Sequence, residues 1–210
     1  MSEDIKLSIL VCGLYERMPD KTIPRSMRAD WESAVLLRLN EQVKGKSVQL
    51  ITLYDNRVWT VGQKRNRLLW MAEGEYFSFV DDDDEVAGDY VDTLLAAIEK
   101  ARGADVLCFR QDCVRGDLGG RVERCQYSLT YDYASGVHPD GSMWWRGKPA
   151  HTMAWRTAVV QDDTMFPDGD FGEDVGWVQQ ACKIARTEYQ IDRTLYTYRF
   201  DPERSRTRGK

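Results

Sequence analysis

Short of histidine and without paired cysteines, the sequence has little to hold a zinc ion. Its 210 residues include two histidines, and its five cysteines (Cys12, Cys108, Cys113, Cys125, Cys182) form no Cys-x-x-Cys pair. Neither histidine lies near a cysteine pair, which excludes a zinc site of the usual kind. An odd, scattered set of cysteines reads as reduced, mostly buried thiols of a cytosolic protein. The N-terminus, Met1-Ser2-Glu3-Asp4-Ile5-Lys6, lacks the charged-then-apolar pattern of a signal peptide. No apolar run approaches the length that crosses a bilayer, so no membrane partner is expected. A formal net charge of −5 argues against binding polyanions over the whole surface, although it leaves room for local basic patches. There is no internal repeat.

What is present is an ordinary globular composition, 42% hydrophobic and 30% charged, in a length that suits one large domain. Lys6 to Cys12 reads as a first strand closed by Gly13, followed by a loop. Trp31, Val35, Leu36, Leu39 and Val43 recur at helical spacing and predict a helix from Ala29 to Val43. Ser47 to Tyr54 is a second strand, with Asp55 at its carboxyl end. Thr60 is placed to cap a helix running to Ala72. A strand at Tyr76–Val80, a helix at Gly88–Arg102 and a strand at Asp105–Arg110 complete the alternation. This order predicts an α/β fold, a mostly parallel sheet with right-handed crossovers.

After Gln111 the character changes. Gly116-Asp117-Leu118-Gly119-Gly120 predicts a hairpin turn, while Tyr127 to Trp145 is aromatic and turn-rich without a clear element. A strand at His151–Trp155, a short helix to Val160, a glycine-containing loop at Asp162–Gly172, a helix at Glu173–Arg186 and a strand at Thr187–Phe200 follow. The expected layout is a ligand-binding half over residues 1–110, a second half over 111–200 sharing its core, and a disordered basic tail over 201–210.

The stretch Tyr76-Phe77-Ser78-Phe79-Val80-Asp81-Asp82-Asp83-Asp84 dominates this pattern. Its apolar part reads as a buried parallel strand, and ligands of open α/β sheets collect just beyond the carboxyl ends of the strands. Four acids therefore stand where a ligand would sit. At ~4 Å each like-charge pair costs about 1 kcal/mol in water and more when partly buried; a divalent cation offsets that most simply. A solvated acidic turn is the plainer alternative, and the buried strand before it weighs against it.

The order of these elements resembles the nucleotide-sugar glycosyltransferases with the GT-A fold, specifically the inverting group called family 2. Ser8-Ile9-Leu10-Val11 with Tyr15-Glu16-Arg17 is similar to that family's opening strand and loop. Asp55 stands where the family has an aspartate near the base, and Lys64-Arg65-Asn66 resembles its Ala-Arg-Asn element. Gly74-Glu75-Tyr76 and the Phe79–Asp84 run resemble its Gly-Glu-Tyr and Phe-Leu-Asp-Ala-Asp-Asp segments, and Glu173-Asp174 its late Glu-Asp pair.

The resemblance implies transfer of a sugar from a nucleotide-diphospho-sugar to an acceptor hydroxyl with inversion, assisted by Mn²⁺ or Mg²⁺. Asp83 and Asp81 are implied as metal ligands, with His151 as a further candidate. Gly13, Tyr15, Arg17, Asp55, Arg65, Asp81 and Asp82 are implied as donor contacts. Asp174 is implied as general base with Glu173 beside it, where a plain helix-N-terminal acid is the alternative. For Asp55 the alternative is an Asx-turn or cap; Lys64 and Arg67 read as an ordinary solvated face. The acceptor stays open among a saccharide, a small molecule, a protein and a hydroxylated DNA base. A sugar-nucleotide pyrophosphorylase is set aside, because Val11 to Arg17 is not a glycine-rich phosphate loop. A non-catalytic binding module for a metal or nucleotide sugar is disfavoured by the full set of acids.

Overall fold

The structure, a computed structural model, describes residues 4–14 and 25–200. The expected donor contacts Tyr15 and Arg17 and the basic tail at 201–210 lie outside the described residues. Strand β1 (Leu7–Leu14) runs through the middle of the parallel part, with β2 (Val48–Asp55) on one side and β3 (Tyr76–Asp81) on the other. Leu7, Ile9, Leu10 and Val11 are fully buried, the signature of a strand covered on both faces. Helix α1 (Arg25–Val43) packs there through Val35 and Leu39. Helix α2 (Val61–Trp70) follows β2, and β4 (Glu85–Val86) and α3 (Tyr90–Ala101) follow β3.

The next strand, β5 (Val106–Arg115), does not pair with β3. Between them lies β9 (Ala154–Arg156), antiparallel to both, with Phe77 opposite Trp155 and Val106 opposite Trp155 from the other side. The run of parallel strands is therefore interrupted at the sheet's centre by a strand from the second half. Trp155 is fully buried there and meets Trp177 edge-on at 5.2 Å between ring centres. A single ten-stranded sheet results. The hairpin turn expected at Gly116–Gly120 joins β5 to β6 (Arg121–Tyr127). The unassigned aromatic stretch forms β7 (Ala134–Val137) and β8 (Met143–Gly147), with β8 parallel to β6. Trp144 lies across Gly136, its register partner on β7, where a side chain would crowd the indole.

After β9, α4 (Thr157–Val160) and α5 (Glu173–Ile184) lead into β10 (Glu188–Phe200), which runs parallel to β5 and pairs antiparallel with β4. The five cysteines form no disulfide. Among the described residues no helix is long and apolar enough to cross a membrane.

Candidate active site

Parallel pairing brings the carboxyl ends of β1, β2 and β3 to one edge of the sheet, and a cleft of about 410 Å³ opens there. Gly13, Arg65, Asp81, Asp82, Asp83, His151, Glu173 and Asp174 all contribute to its wall, whereas Asp55 does not.

Helix α2 begins with a capping box: Gln63 N–H donates to Thr60 Oγ1, and Thr60 N–H donates back to Gln63 Oε1. The helix buries the stripe Lys64, Arg65, Leu68 and Leu69. Lys64 is thus not part of a solvated face. It is 1% exposed, and its Nζ donates to Gly13 O (2.8 Å) and to Asp55 Oδ1 (3.1 Å), tying β1 to the end of β2. Its position one turn before Leu68 was the available signal, because residues four apart share a helix face.

Asp55 takes its second bond from the backbone N–H of Trp59, four residues on, at 2.7 Å. Burial would raise its pKa, but the Trp59 N–H and the Lys64 ammonium outweigh it and hold the carboxyl below its ordinary 3.8. A lowered folded-state pKa contributes stability above the unfolded value, lost as pH falls through the folded one. Asp55→Asn is therefore expected to be less stable than the natural chain at neutral pH. The gap should shrink on acidification below about 3.8, as denaturant melts across that range would reveal.

Arg65, 5% exposed, links the two halves of the cleft. Nη2 donates to Asp81 Oδ1 at 2.7 Å and Nη1 to Glu173 Oε1 at 2.5 Å. Burial pushes Asp81 upward, yet the guanidinium and His151 together bring its pKa far below the usual carboxylate range. Glu173 is raised, because burial outweighs the Arg65 charge.

His151 reaches the cleft because of β9. His151 sits in the turn that leads into β9, closed by Met153 N–H donating to Ala150 O at 3.1 Å. The imidazole accordingly stands between two acids, with Nε2 3.5 Å from Asp81 Oδ2 and Nδ1 3.8 Å from Asp174 Oδ2. Asp174, in the first turn of α5, has a side chain 39% exposed to the cleft solvent, in contrast to buried Glu173.

The acidic run itself is a turn, closed by Asp84 N–H donating to Asp81 O at 3.2 Å. Asp82 and Asp83 are its central residues. Asp84 folds back inward, 3% exposed, accepting from Tyr196 Oη (2.7 Å) and from Arg199 N–H (2.9 Å). Burial, then the charges of Asp83 and Asp81, push its pKa well above the ordinary value. Tyr196 Oη also accepts from Asp81 N–H, so one tyrosine of β10 holds both ends of the turn. Nothing in the local sequence marked Tyr196 for this. Gly13 leaves room on the opposite wall, where a side chain would overlap the Tyr54 ring and the Asp82 carboxylate.

Among the described residues no three His, Cys, Asp or Glu side chains make a metal cage by themselves. Carboxylate oxygens on a half-buried turn that lines a cleft are nevertheless the donors Mg²⁺ and Mn²⁺ take, since these ions bind through one or two carboxylates and complete their shell with substrate phosphates and water. Asp81 and Asp83 are residues of the kind that could serve such an ion as its protein ligands.

The chain's fold is that of crystal structures of S. aureus TarS residues 1–349. The comparison gives 19% identity and a TM-score of 0.60 over 92% of this chain and 60% of that one. The complex of that protein with UDP-GlcNAc gives 19% identity and a TM-score of 0.61, covering 93% and 59%. The complex with UDP gives 20% and 0.60, covering 94% and 61%. The chain thus spans about 60% of the length of these structures. No curated protein matches the sequence. The family model for glycosyl transferase family 2 matches residues 34–150, more than half of the chain and inclusive of the whole acidic turn. With the GT-A architecture and that match together, the chain belongs to glycosyl transferase family 2.

Proposed function

We propose that the cleft transfers a sugar from a nucleotide-diphospho-sugar to an acceptor hydroxyl with inversion, with Asp174 as general base. One observation carries this reading. The acids at the end of β3 and Asp174 at the start of α5 face the same cleft with His151 between them, at 3.5 and 3.8 Å. An inverting displacement needs one base at the acceptor hydroxyl and a separate means of neutralising the leaving diphosphate, and this arrangement offers groups for both.

Asp174 takes the proton of the acceptor hydroxyl as its oxygen forms a bond to the anomeric carbon. The bond from that carbon to the phosphate oxygen breaks on the opposite face, and its electron pair leaves with the nucleoside diphosphate. Lys64 and Arg65, both on the cleft wall, hold Asp55, Asp81 and Glu173 in place around the donor side. Asp83 and Asp81 would hold Mn²⁺ or Mg²⁺, which supplies neutralisation of the charge developing on the diphosphate. Asp82 and Gly13 shape the donor side of the cleft, and residues 111–200 supply the acceptor side. The S. aureus structure with UDP-GlcNAc makes a UDP-linked sugar the first donor to test.

The test is a thermal melt with UDP-, GDP-, TDP- and CMP-sugars, each with and without Mn²⁺, followed by an assay of nucleotide release. A donor at ~100 times its dissociation constant stabilises by about 2.7 kcal/mol. One nucleotide class should shift the melt, and only with metal present. If no donor shifts it and no nucleotide is released, the transferase reading fails. If the shift is the same without metal, the role given to Asp83 fails.

A further inference from the structure

The loop before α5, with two glycines, has the composition of a mobile segment, but it is fastened to the first turn of α2. At the start of helix α2 four N–H groups have no backbone partner inside the helix, and each is taken, that of the Thr60 cap by Gln63 Oε1. Gln63 N–H goes to Thr60 Oγ1, Val61 N–H to Asp170 Oδ1 at 2.9 Å, and Gly62 N–H to Gly169 O at 3.0 Å. Asp168 adds two more bonds, accepting from Thr60 Oγ1 (2.7 Å) and Gln63 Nε2 (3.0 Å). Pro167 fills the space between the two helices. Its carbonyl rests on Gly62 of α2 and its ring on Gly176 of α5, and a side chain at either glycine would overlap it. Glycine inside a helix costs about 1 kcal/mol relative to alanine, so two facing glycines mark a contact that needs close approach.

We propose that the first turn of α2 is the seat that positions the base-bearing start of α5, with Gly62 and Asp170 as positioning residues. The inference deepens the transferase reading and rests on Asp174 as its base. Asp170 lies four residues before Asp174, so its bond to Val61 fixes where the α5 N-terminus enters the cleft. Through Arg65, the same α2 holds Asp81, so one short helix sets the spacing between the donor acids and the base. The carboxylate of Asp170 works here as a hydrogen-bond acceptor for a backbone N–H. Its charge is not needed, and an asparagine oxygen can replace it.

The experiment compares Gly62→Ala, Asp170→Ala and Asp170→Asn in the full chain. It measures turnover, donor dissociation constant and hydrogen–deuterium exchange of residues 168–173. Displacing the seat by about 1 Å should lower kcat by up to roughly 100-fold while the donor dissociation constant changes little. Exchange in 168–173 should quicken in Gly62→Ala and Asp170→Ala, and Asp170→Asn should recover most of the lost rate. Unchanged exchange and kcat in Asp170→Ala overturn the proposal, even if Gly62→Ala does not fold. Loss of rate in Asp170→Asn equal to that in Asp170→Ala also overturns it, because that result assigns a charge role to Asp170. If exchange quickens as expected but Asp174→Asn keeps full turnover, the seat stands and the assignment of the base is what fails.

Discussion

Asp174→Asn should lower sugar transfer by roughly 10²- to 10⁴-fold, the range that a positioned general base contributes. The change keeps size and shape, and the side chain is 39% exposed, so the fold should be untouched. Donor binding should persist, because the acids of the β3 turn and the Lys64–Arg65 pair are unaltered. The competing description treats Asp174 as a first-turn acid that merely complements the helix dipole, worth about 0.3–1 kcal/mol of stability. The two descriptions separate cleanly. Single-turnover rates and calorimetric donor binding on the same preparation should show binding without transfer. Full turnover in the variant, with a melting temperature lowered by a few degrees, would leave Asp174 with the dipole role alone.

Arg65→Met should cost about 3–5 kcal/mol of folding stability, the usual penalty for removing one partner of a buried ion pair. The guanidinium is 5% exposed and serves Asp81 and Glu173 at once, so its loss leaves two carboxylates facing each other with little water between them. Arg65→Lys should recover little, because one ammonium cannot reproduce a planar fork that reaches two acids. Adding Glu173→Gln to Arg65→Met should restore part of the loss, since one of the two stranded charges is then gone. Urea denaturation of the four proteins gives the comparison. Equal stability of Arg65→Met and the natural chain would mean that the acids are hydrated and that Arg65 is not their link.

Much of this arrangement is legible in the sequence, and the parts that are share a feature: their cause is local. The apolar run Tyr76–Val80 predicts its buried strand, Thr60 predicts the cap of α2, and Gly116–Gly120 predicts the hairpin. Glu173 and Asp174 predict the start of α5, because first-turn acids have their effect within a few residues. What the sequence hides depends on distant partners. Lys64 is buried by a carbonyl 51 residues away, and nothing near it in the chain announces that carbonyl. Four adjacent aspartates are chemically alike, and the inward turn of Asp84 is chosen by Tyr196 and Arg199, 112 and 115 residues later. Strand β9 is three residues long, too short for an alternating pattern, so its place between β3 and β5 had no periodic signal. That insertion in turn decides where His151 goes.

The same insertion has a consequence for how the chain comes to be folded. As synthesis proceeds from the N-terminus, β3 and β5 both exist before any residue of β9 has been made. Each then presents an unpaired edge toward the other, rich in Phe77, Phe79, Val106 and Leu107, and such edges are open to pairing with other chains. The gap closes only when Trp155 arrives, and the strand on the far side of β5 arrives later still. Long-range pairing of this kind is slow because a large loop must close before any contact rewards it. The gap at the centre of the sheet is thus closed late in synthesis and the far edge of β5 later still, so the nascent chain carries unpaired edges until β10 is complete.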